Sequence, residues 1–243
     1  MNTLAEDRDG SLLAGTNGGL FRIVRGKSLR IEPVRVPVER YPGTLSILRV
    51  RVDSSGDCWV GTENGGLLRR MRNGNWVCLT EQQGLPADFI GEIALDAKGR
   101  LWVGTKQGAV RLRLDTDGPG SRVDLALTEQ KGLPDPDVRA IFFGSDGRAW
   151  FGTMNGLAEW DPESGRTLRS YHREDGLVDP SIYAIAEDVA GNLWFGTRRG
   201  GLLELPQSEI QPRSRTRGGR SDVWSPAGLR AWSQSFPRAW QPL

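Results

Sequence analysis

A Gly-Thr pair recurs through most of the chain at nearly constant intervals. The five pairs begin at Gly15, Gly61, Gly104, Gly152 and Gly196, which places them 46, 43, 48 and 44 residues apart. A further glycine lies five residues before each pair, and a Gly-apolar pair follows it. Self-similarity at such a period is typical of repeat architectures, in which each unit buries its apolar faces against its neighbours.

An Asp-x-x-Gly turn precedes each Gly-Thr pair. The turn begins at Asp7, Asp53, Asp96 and Asp188, whereas the fourth copy has Gly144 there and carries its acid at Asp146. Apolar residues three apart, such as Ile90 and Ile93 before Asp96, precede the turn. They lie in segments of about seven residues, which are too short for a typical helix. Because aspartate bonds nearby backbone N–H groups and glycine accepts a positive φ, the pattern predicts a hairpin between two short strands.

The strand after the turn carries a large aromatic residue. Four of the five copies have a tryptophan two residues before Gly-Thr (Trp59, Trp102, Trp150 and Trp194), and the first copy has Leu13. These tryptophans could stack on carbohydrate, but apolar groups on both sides of the strand favour a core position between sheets. Two further strands and no helix are predicted in each unit. Four short strands per unit of about 45 residues predict an all-β fold, a β-propeller-type array of about five four-stranded blades that is incomplete or open.

The repeat sets the predicted domain boundaries. Blades are expected at about 1–42, 43–87, 88–135, 136–180 and 181–205, with an Arg/Pro/Trp-rich tail at 206–243. The tail holds six arginines against two acids, and we expect it to be disordered or non-native, with no strand after Leu205. Closure of five blades is the alternative, and it would require Met1–Glu6 to pair into the last blade.

Composition excludes several classes of function. A net charge of +2 predicts no nucleic-acid partner, and no apolar run approaches the roughly 20 residues of a membrane helix. The single histidine, His172, falls in a predicted outer strand, and the Asp-x-x-Gly turns lack a complete calcium loop, so neither a metal site nor a cofactor is predicted. Cys58 and Cys78 lie on strands that are not neighbours, and we expect free thiols.

In a propeller, the loop after the second strand and the linkers between blades lie at the same end. The second-strand loops vary between copies while their frame stays constant, as on a recognition surface held by a rigid scaffold. Unconstrained loops would vary in the same way. The candidate ligand-binding residues in these loops are Asn64, Lys106, Gln107, Met154, Asn155, Arg198 and Arg199. Their cations would suit an anionic ligand such as an acidic sugar, with solvated surface charge as the alternative.

These units resemble the two-component regulator propeller repeat. The shared motif is Ile-x-x-Asp-x-x-Gly-x-Leu-Trp-x-Gly-Thr-x-x-Gly-Leu, which is clearest at 93–109 and 185–202, with Gly-Leu-Pro at 84–86 and 132–134. The resemblance implies blades of a seven-bladed propeller in the periplasmic sensor half of a bacterial hybrid histidine kinase, some relatives of which sense oligosaccharides. With five repeats and no kinase region, the chain is interpreted as a receptor fragment.

The resemblance implies a ligand-sensing propeller module of a two-component signal-transduction receptor, with no catalytic residues. Its expected partners are an oligosaccharide or other small ligand, and the missing receptor domains or a homodimer partner. The resemblance places the module on the periplasmic side of a membrane, although no signal peptide is recognised, so a chain made as given would be cytoplasmic. A propeller enzyme, such as a lyase or hydrolase, and a protein-interaction scaffold remain as alternatives.

Overall fold

The computed structural model describes residues 1–37, 45–114 and 121–210 and the backbone of 230–232. These residues form five antiparallel four-stranded sheets in chain order, which confirms the predicted all-β blades. Most of the predicted tail lies outside the described residues.

Each sheet is built from consecutive strands, so that its first strand lies at one edge and its fourth at the other. The first two sheets contain β1 (Thr3–Glu6), β2 (Leu12–Thr16), β3 (Gly19–Val24), β4 (Arg30–Val34), β5 (Ile47–Val52), β6 (Cys58–Thr62), β7 (Leu67–Arg70) and β8 (Trp76–Leu79). The next two contain β9 (Ile90–Leu95), β10 (Leu101–Thr105), β11 (Gly108–Leu114), β12 (Ser121–Leu127), β13 (Val138–Phe143), β14 (Ala149–Thr153), β15 (Gly156–Asp161) and β16 (Arg166–Tyr171). The last contains β17 (Ile182–Glu187), β18 (Leu193–Thr197), β19 (Leu202–Leu205) and β20 (Arg230–Trp232).

The Gly-Thr pair has one role within a blade and another between blades. The Thr105 hydroxyl donates to the Gly108 carbonyl at 2.9 Å and closes the hairpin between β10 and β11. A Cβ atom on Gly104 would lie 2.9 Å from Cγ1 of Val138, on the first strand of the following blade. The glycine therefore lets β10, the second strand of its blade, approach β13, the first strand of the following blade. The first strands of successive blades also contact one another along the chain.

The blade tryptophans form the core between sheets, as predicted. Trp59, Trp102 and Trp150 are all fully buried. The Trp102 ring lies against the next blade, with centroids 5.6 Å from Phe151 and 5.2 Å from Trp160. Burial of such large aromatic surfaces is the main stabilising contribution to blade stacking.

The turn aspartate also fixes the tryptophan, a role that the sequence pattern alone does not indicate. The Trp59 indole N–H donates to Asp53 Oδ2 at 2.8 Å, and the backbone N–H groups of Gly56 and Asp57 donate to the other oxygen. Equivalent indole bonds in the third and fifth blades reach Asp96 and Asp188 at 3.2 and 3.0 Å. One carboxylate thus closes the turn and satisfies a buried indole.

Replacement of Asp53 by alanine should lower the free energy of unfolding by about 2–3 kcal/mol, because it leaves the buried Trp59 N–H without an acceptor. Urea unfolding followed by tryptophan fluorescence measures the change. Glu174→Ala, which removes an exposed carboxylate, is the control and should change stability by less than about 0.5 kcal/mol. Equal stability of the two variants would contradict the structural role of Asp53.

Stability should also fall as the solution becomes acidic. Burial alone would raise the pKa of Asp53 and Asp96, but hydrogen bonds from tryptophan, serine or arginine side chains and from backbone N–H groups lower both below the ordinary value of 3.8. Hydrogen bonds from Trp194 and Asn192 lower the pKa of Asp188 to about 2. Since the unfolded chain binds protons at higher pH than the folded one, these carboxylates stabilise the fold above pH 3.8 and lose that effect as the pH falls toward 2. Thermal melts between pH 6 and about pH 2.5 test this, and an unchanged melting temperature would contradict it.

Two expectations need correction, and the alternative closure of five blades through Met1–Glu6 is not observed. A fourth strand does follow Leu205. It is β20, which lies within the predicted tail and pairs with β19. Short helical segments also occur, namely α1 (Gln207–Ile210) and single 3-10 turns in three blade linkers. Met1–Glu6 does not complete the last blade, since β1 pairs with β2 of its own sheet.

The two end blades each leave one face partly uncovered. Trp194, unlike its three equivalents, is partly exposed, and Leu202 on the same face is 49% exposed. Leu4 of the first blade is 47% exposed. No described blade covers the far face of the fifth blade, so Trp194, which was predicted as a core residue, is only partly buried.

The cysteines behave as the strand order predicts. Cys58 is buried and Cys78 is exposed, and no disulfide joins them. They lie on β6 and β8, which are separated by β7 in the sheet. Burial raises the pKa of Cys58 to about 12, so this thiol is not a nucleophile at neutral pH.

Candidate functional site

The second-strand loops and the blade linkers lie at the same end of the sheets, as predicted. The N–H of Met154, in the loop after β14, donates to the Asp137 carbonyl at 3.0 Å, just before β13. The N–H of Gly156, which opens β15, donates to the Pro180 carbonyl of the next linker at 2.8 Å. Equivalent bonds join Glu63 to Ser46, Arg198 to Ser181, Gly66 to Asp88 and Gly108 to Pro136. We call this end of the sheets the loop end.

The predicted ligand-binding residues all lie at the loop end, but they do not form one cluster. Asn64, Gln107 and Asn155 are exposed. No side-chain hydrogen bond, ion pair or ring contact within the described ranges joins these three to the other predicted residues. Lys106 and Met154 contribute to one group of side chains, and Arg198 and Arg199 line a separate cleft beside it.

Cations and aromatic rings from three blades meet at the loop end, in what we call the aromatic cluster (Phe89, Lys106, Arg139, Met154 and Tyr183). Lys106 Nζ lies 4.5 Å from the Phe89 ring centroid, and the Arg139 guanidinium carbon lies 4.3 Å from the same centroid. The Arg139 carbon is also 5.8 Å from the Tyr183 ring. Cations at these distances are attracted to ring faces, so the rings hold two long basic side chains in place.

Arg139 retains hydrogen-bonding capacity in this cluster. Its Nη2 atom is 2.6 Å from Asp137 Oδ2. Arg139 Nε and Asp137 Oδ1 are buried and have no hydrogen-bond partner in the described protein. A buried donor or acceptor without a partner is costly, and such atoms are usually satisfied by ordered water or by a ligand. The pair therefore has one buried donor and one buried acceptor that an ordered water or a penetrating ligand atom would satisfy.

The predicted loop residue Met154 is held between the cluster and the neighbouring cleft. The Tyr183 hydroxyl donates to Met154 Sδ at 3.3 Å, and the Ser181 hydroxyl donates to the Met154 carbonyl at 3.0 Å. Ser181 also lines the cleft. The two features are therefore adjacent parts of one surface.

The cleft has a volume of about 310 Å³ and is predominantly cationic. Its lining residues are Arg173, Val178, Asp179, Ser181, Arg198, Arg199 and Gly200. Asp179 Oδ2 accepts the backbone N–H groups of Arg199 and Gly200 at 2.5 and 3.2 Å. Burial alone would raise the pKa of Asp179, but these backbone bonds and the one from Ser181 lower it below its usual value. Asp179 thus stays ionised as a support for the loop, and three arginines surround the space.

His172 does not reach this surface in a catalytic arrangement. The fourth strand ends at Tyr171, one residue earlier than predicted, because the His172 N–H donates to the Asp175 carboxylate at 2.8 Å and starts a 3-10 turn. His172 is absent from the cleft lining. Among the described residues, no group of three His, Cys, Asp or Glu side chains is arranged to hold a metal ion.

A buried carboxylate with a raised pKa lies at the opposite end of the fourth blade. Glu159 is only 1% exposed, and burial raises its pKa although the ion-paired Arg148 opposes the shift. The second blade has Asp57 and Arg69 at the corresponding positions, ion-paired at 2.6 Å. Since the same cross-strand pair occurs with its charges exchanged, Glu159 has a structural role in the blade.

Three segments of the chain match the family model described as two component regulator propeller. They cover residues 84–107, 132–155 and 176–199. Each segment runs from a blade linker to the loop after the second strand, so it includes the loop-end residues described above. No curated protein sequence matches the chain.

Solved structures share the fold at low sequence identity. The extracellular domain of the putative hybrid two component system BT3049 from B. thetaiotaomicron is 20% identical with a TM-score of 0.71, over 89% of this chain and 31% of that one. PorZ, a bacterial surface component of the type-IX secretion system of Porphyromonas gingivalis, is 16% identical with a TM-score of 0.62, over 86% and 32%. Virginiamycin B lyase from Staphylococcus aureus is 16% identical with a TM-score of 0.60, over 85% and 67%. The chain thus spans less than a third of the BT3049 domain.

No helix in the described ranges is both long enough and apolar enough to cross a membrane.

Proposed function

We propose that this chain, which carries two component regulator propeller repeats, is the ligand-sensing part of a bacterial two-component receptor. In this proposal the loop end is the sensing surface, on the periplasmic side of the membrane. The remaining receptor domains or a second receptor copy are its protein partners. The similarity to an extracellular receptor domain supports the fold of such a module, and the chemistry of the loop end supports its function.

The observation that carries the proposal is the convergence of cations and aromatic rings on one surface. Lys106 and Arg139 lie over Phe89, and the arginine-lined cleft lies beside them. Guanidinium groups bind carboxylates and sulfates through paired hydrogen bonds, while aromatic faces pack against sugar rings. The surface therefore favours a small anionic ligand, and an acidic oligosaccharide combines both features.

Signalling requires more than binding. A ligand shifts a receptor between two states only when it binds those states with different affinity. The aromatic cluster joins side chains from the third, fourth and fifth blades, so a ligand bound there would contact several blades at once. We expect its binding energy to depend on how these blades sit relative to one another.

Isothermal titration with hexuronate-containing disaccharides and their neutral counterparts tests the proposal. We expect binding of an acidic disaccharide, with an affinity that Lys106→Ala or Arg199→Ala lowers by about 10- to 100-fold, the effect of losing a charged hydrogen bond. Lys98→Ala is the matched control, since Lys98 is an exposed cation on a turn at the other end of its blade. Equal loss of affinity in the control would show screened, non-specific attraction and would contradict a defined site.

A propeller lyase is the second candidate function, because a lyase shares the fold over most of this chain. Against it, the loop-end cleft contains a single carboxylate, Asp179, which is fixed by backbone hydrogen bonds. Its lining includes no histidine. Turnover of an acidic disaccharide during the titration, seen as a continuing heat signal, would favour the enzyme over the sensor.

A further inference from the structure

The fourth blade departs from the repeat at a single turn, and the departure leaves a buried donor unpaired. Trp59, Trp102 and Trp194 each donate an indole N–H to the aspartate that opens their turn. In the fourth blade that position is Gly144. Trp150 is fully buried, and its Nε1 atom has no hydrogen-bond partner among the described protein atoms.

A small cavity lies at the place from which the carboxylate is missing. Its volume is about 30 Å³, and it is lined by Gly144, Asp146, Trp150, Glu187, Gly191, Leu193, Gln207 and Ile210. These residues come from the fourth blade, the fifth blade and α1, so the cavity lies at a junction between blades. A volume of this size holds one water molecule, or two at most.

The lining chemistry selects the occupant. An indole N–H is a donor only, so the occupant must accept a hydrogen bond from Trp150. The carboxylates of Asp146 and Glu187 would repel an anion. Glu187 already accepts the Ser145 N–H and hydroxyl at 2.8 and 2.5 Å, but its two oxygens retain further acceptor capacity. A neutral molecule that accepts one hydrogen bond and donates others satisfies all of these groups.

We propose that the cavity at Trp150 is a built-in site for an ordered water molecule, which replaces the turn aspartate of the other blades and bridges the fourth and fifth blades. The water accepts from Trp150 Nε1 and donates to Glu187, with Gln207 as a further partner. Buried waters with two to four polar partners are integral parts of protein structures.

The second blade supplies a matched substitution that removes this site. Its turn is Asp53-Ser54-Ser55-Gly56, while the fourth blade has Gly144-Ser145-Asp146-Gly147. The double variant Gly144→Asp/Asp146→Ser therefore gives the fourth blade the turn of the second. Gly144 does not have a positive φ, and the atom nearest to an added Cβ would be Asp146 Oδ1 at 2.8 Å, which the second substitution removes.

Nuclear Overhauser transfer from water to the Trp150 indole proton tests the proposal. We expect a signal from a long-lived water at Trp150, and none at Trp59 or Trp102, whose indole protons are bonded to carboxylates. The signal should disappear in the double variant, whose melting temperature should rise by about 3–6 °C as a charged acceptor replaces water. No water signal at Trp150, or one that persists in the double variant, would overturn the proposal.

If the double variant does not fold, a crystal structure of the unaltered protein tests the proposal instead. A crystal structure of the unaltered protein should show density within about 3 Å of Trp150 Nε1 and of a Glu187 oxygen. A dry cavity in that structure would refute the water site. The reciprocal variant Asp53→Gly/Ser55→Asp should lower the melting temperature of the protein, since it gives the second blade the turn of the fourth.

Discussion

Replacement of Trp102 by alanine should lower the free energy of unfolding by about 4–5 kcal/mol, at the upper end of the range for large buried aromatic residues. The Trp102 ring is fully buried and packs against Phe143, Phe151 and Trp160 of the next blade, with centroids between 5.2 and 5.9 Å away. Its removal would leave a cavity between two rigid sheets that cannot collapse onto each other. Chemical denaturation followed by circular dichroism measures the loss.

Trp194→Ala is the internal control for this prediction. Trp194 has the same place in the repeat and the same indole bond to its turn aspartate, but it is partly exposed. Its replacement should therefore cost about half as much or less, because part of the surface is already in water. Similar losses for the two variants would show that stacking between blades is not what Trp102 contributes.

The isolated chain should self-associate as its concentration rises. The fifth blade presents Trp194 and Leu202 on an uncovered face, the one that in other blades packs against the following blade. The first blade presents Leu4 on the face that in other blades packs against the preceding blade. In the interior of the array, these two kinds of face cover each other, as Trp102 does with the following blade. Exposed sheet faces that match in this way promote association between copies. Size-exclusion chromatography and analytical ultracentrifugation across a concentration series measure the association.

Leu202→Glu should shift the chain toward monomer, because it places a charge on the uncovered face. Val189→Glu is the control, since Val189 is a fully exposed apolar residue in a turn of the same blade. The control should leave association unchanged. A compact monomer at every concentration, or equal effects of the two variants, would contradict association through the blade face.

The sequence placed the predicted binding residues at the loop end, but it did not show which of them lie together. Lys106, Met154, Arg198 and Arg199 were identified because loop residues that vary on a constant frame stand out without coordinates. Asn64, Gln107 and Asn155 met the same criterion, but no described side-chain contact joins them to the cluster or the cleft. The criterion identifies an end of the fold, and it does not distinguish which side chains converge there.

Phe89, Arg139 and Tyr183 were missed for a specific reason. They lie in or next to the first strand of a blade, where the strand prediction rests only on apolar residues spaced three apart. A signal was present, since Arg139 and Tyr183 follow the buried residues Val138 and Ile182 at a position occupied by asparagine, leucine or glycine in the other copies. The three residues belong to successive blades and are about 45 residues apart in the sequence. Only the stacking of blades brings such positions together.

The sequence by itself determined the repeating unit: its four strands, its hairpin turns, its buried tryptophan and the end at which its variable loops lie. These features follow from local chemistry, since turn residues, strand periodicity and the spacing of glycines act within one unit. The tertiary structure decided what depends on contact between units: which loop residues converge, which residues line the cavity beside Trp150 and why Trp194 is exposed. The strands and turns of the repeat depend on residues within one blade. A cavity or a side-chain cluster depends on where two blades meet, and an exposed sheet face on the lack of a neighbouring blade.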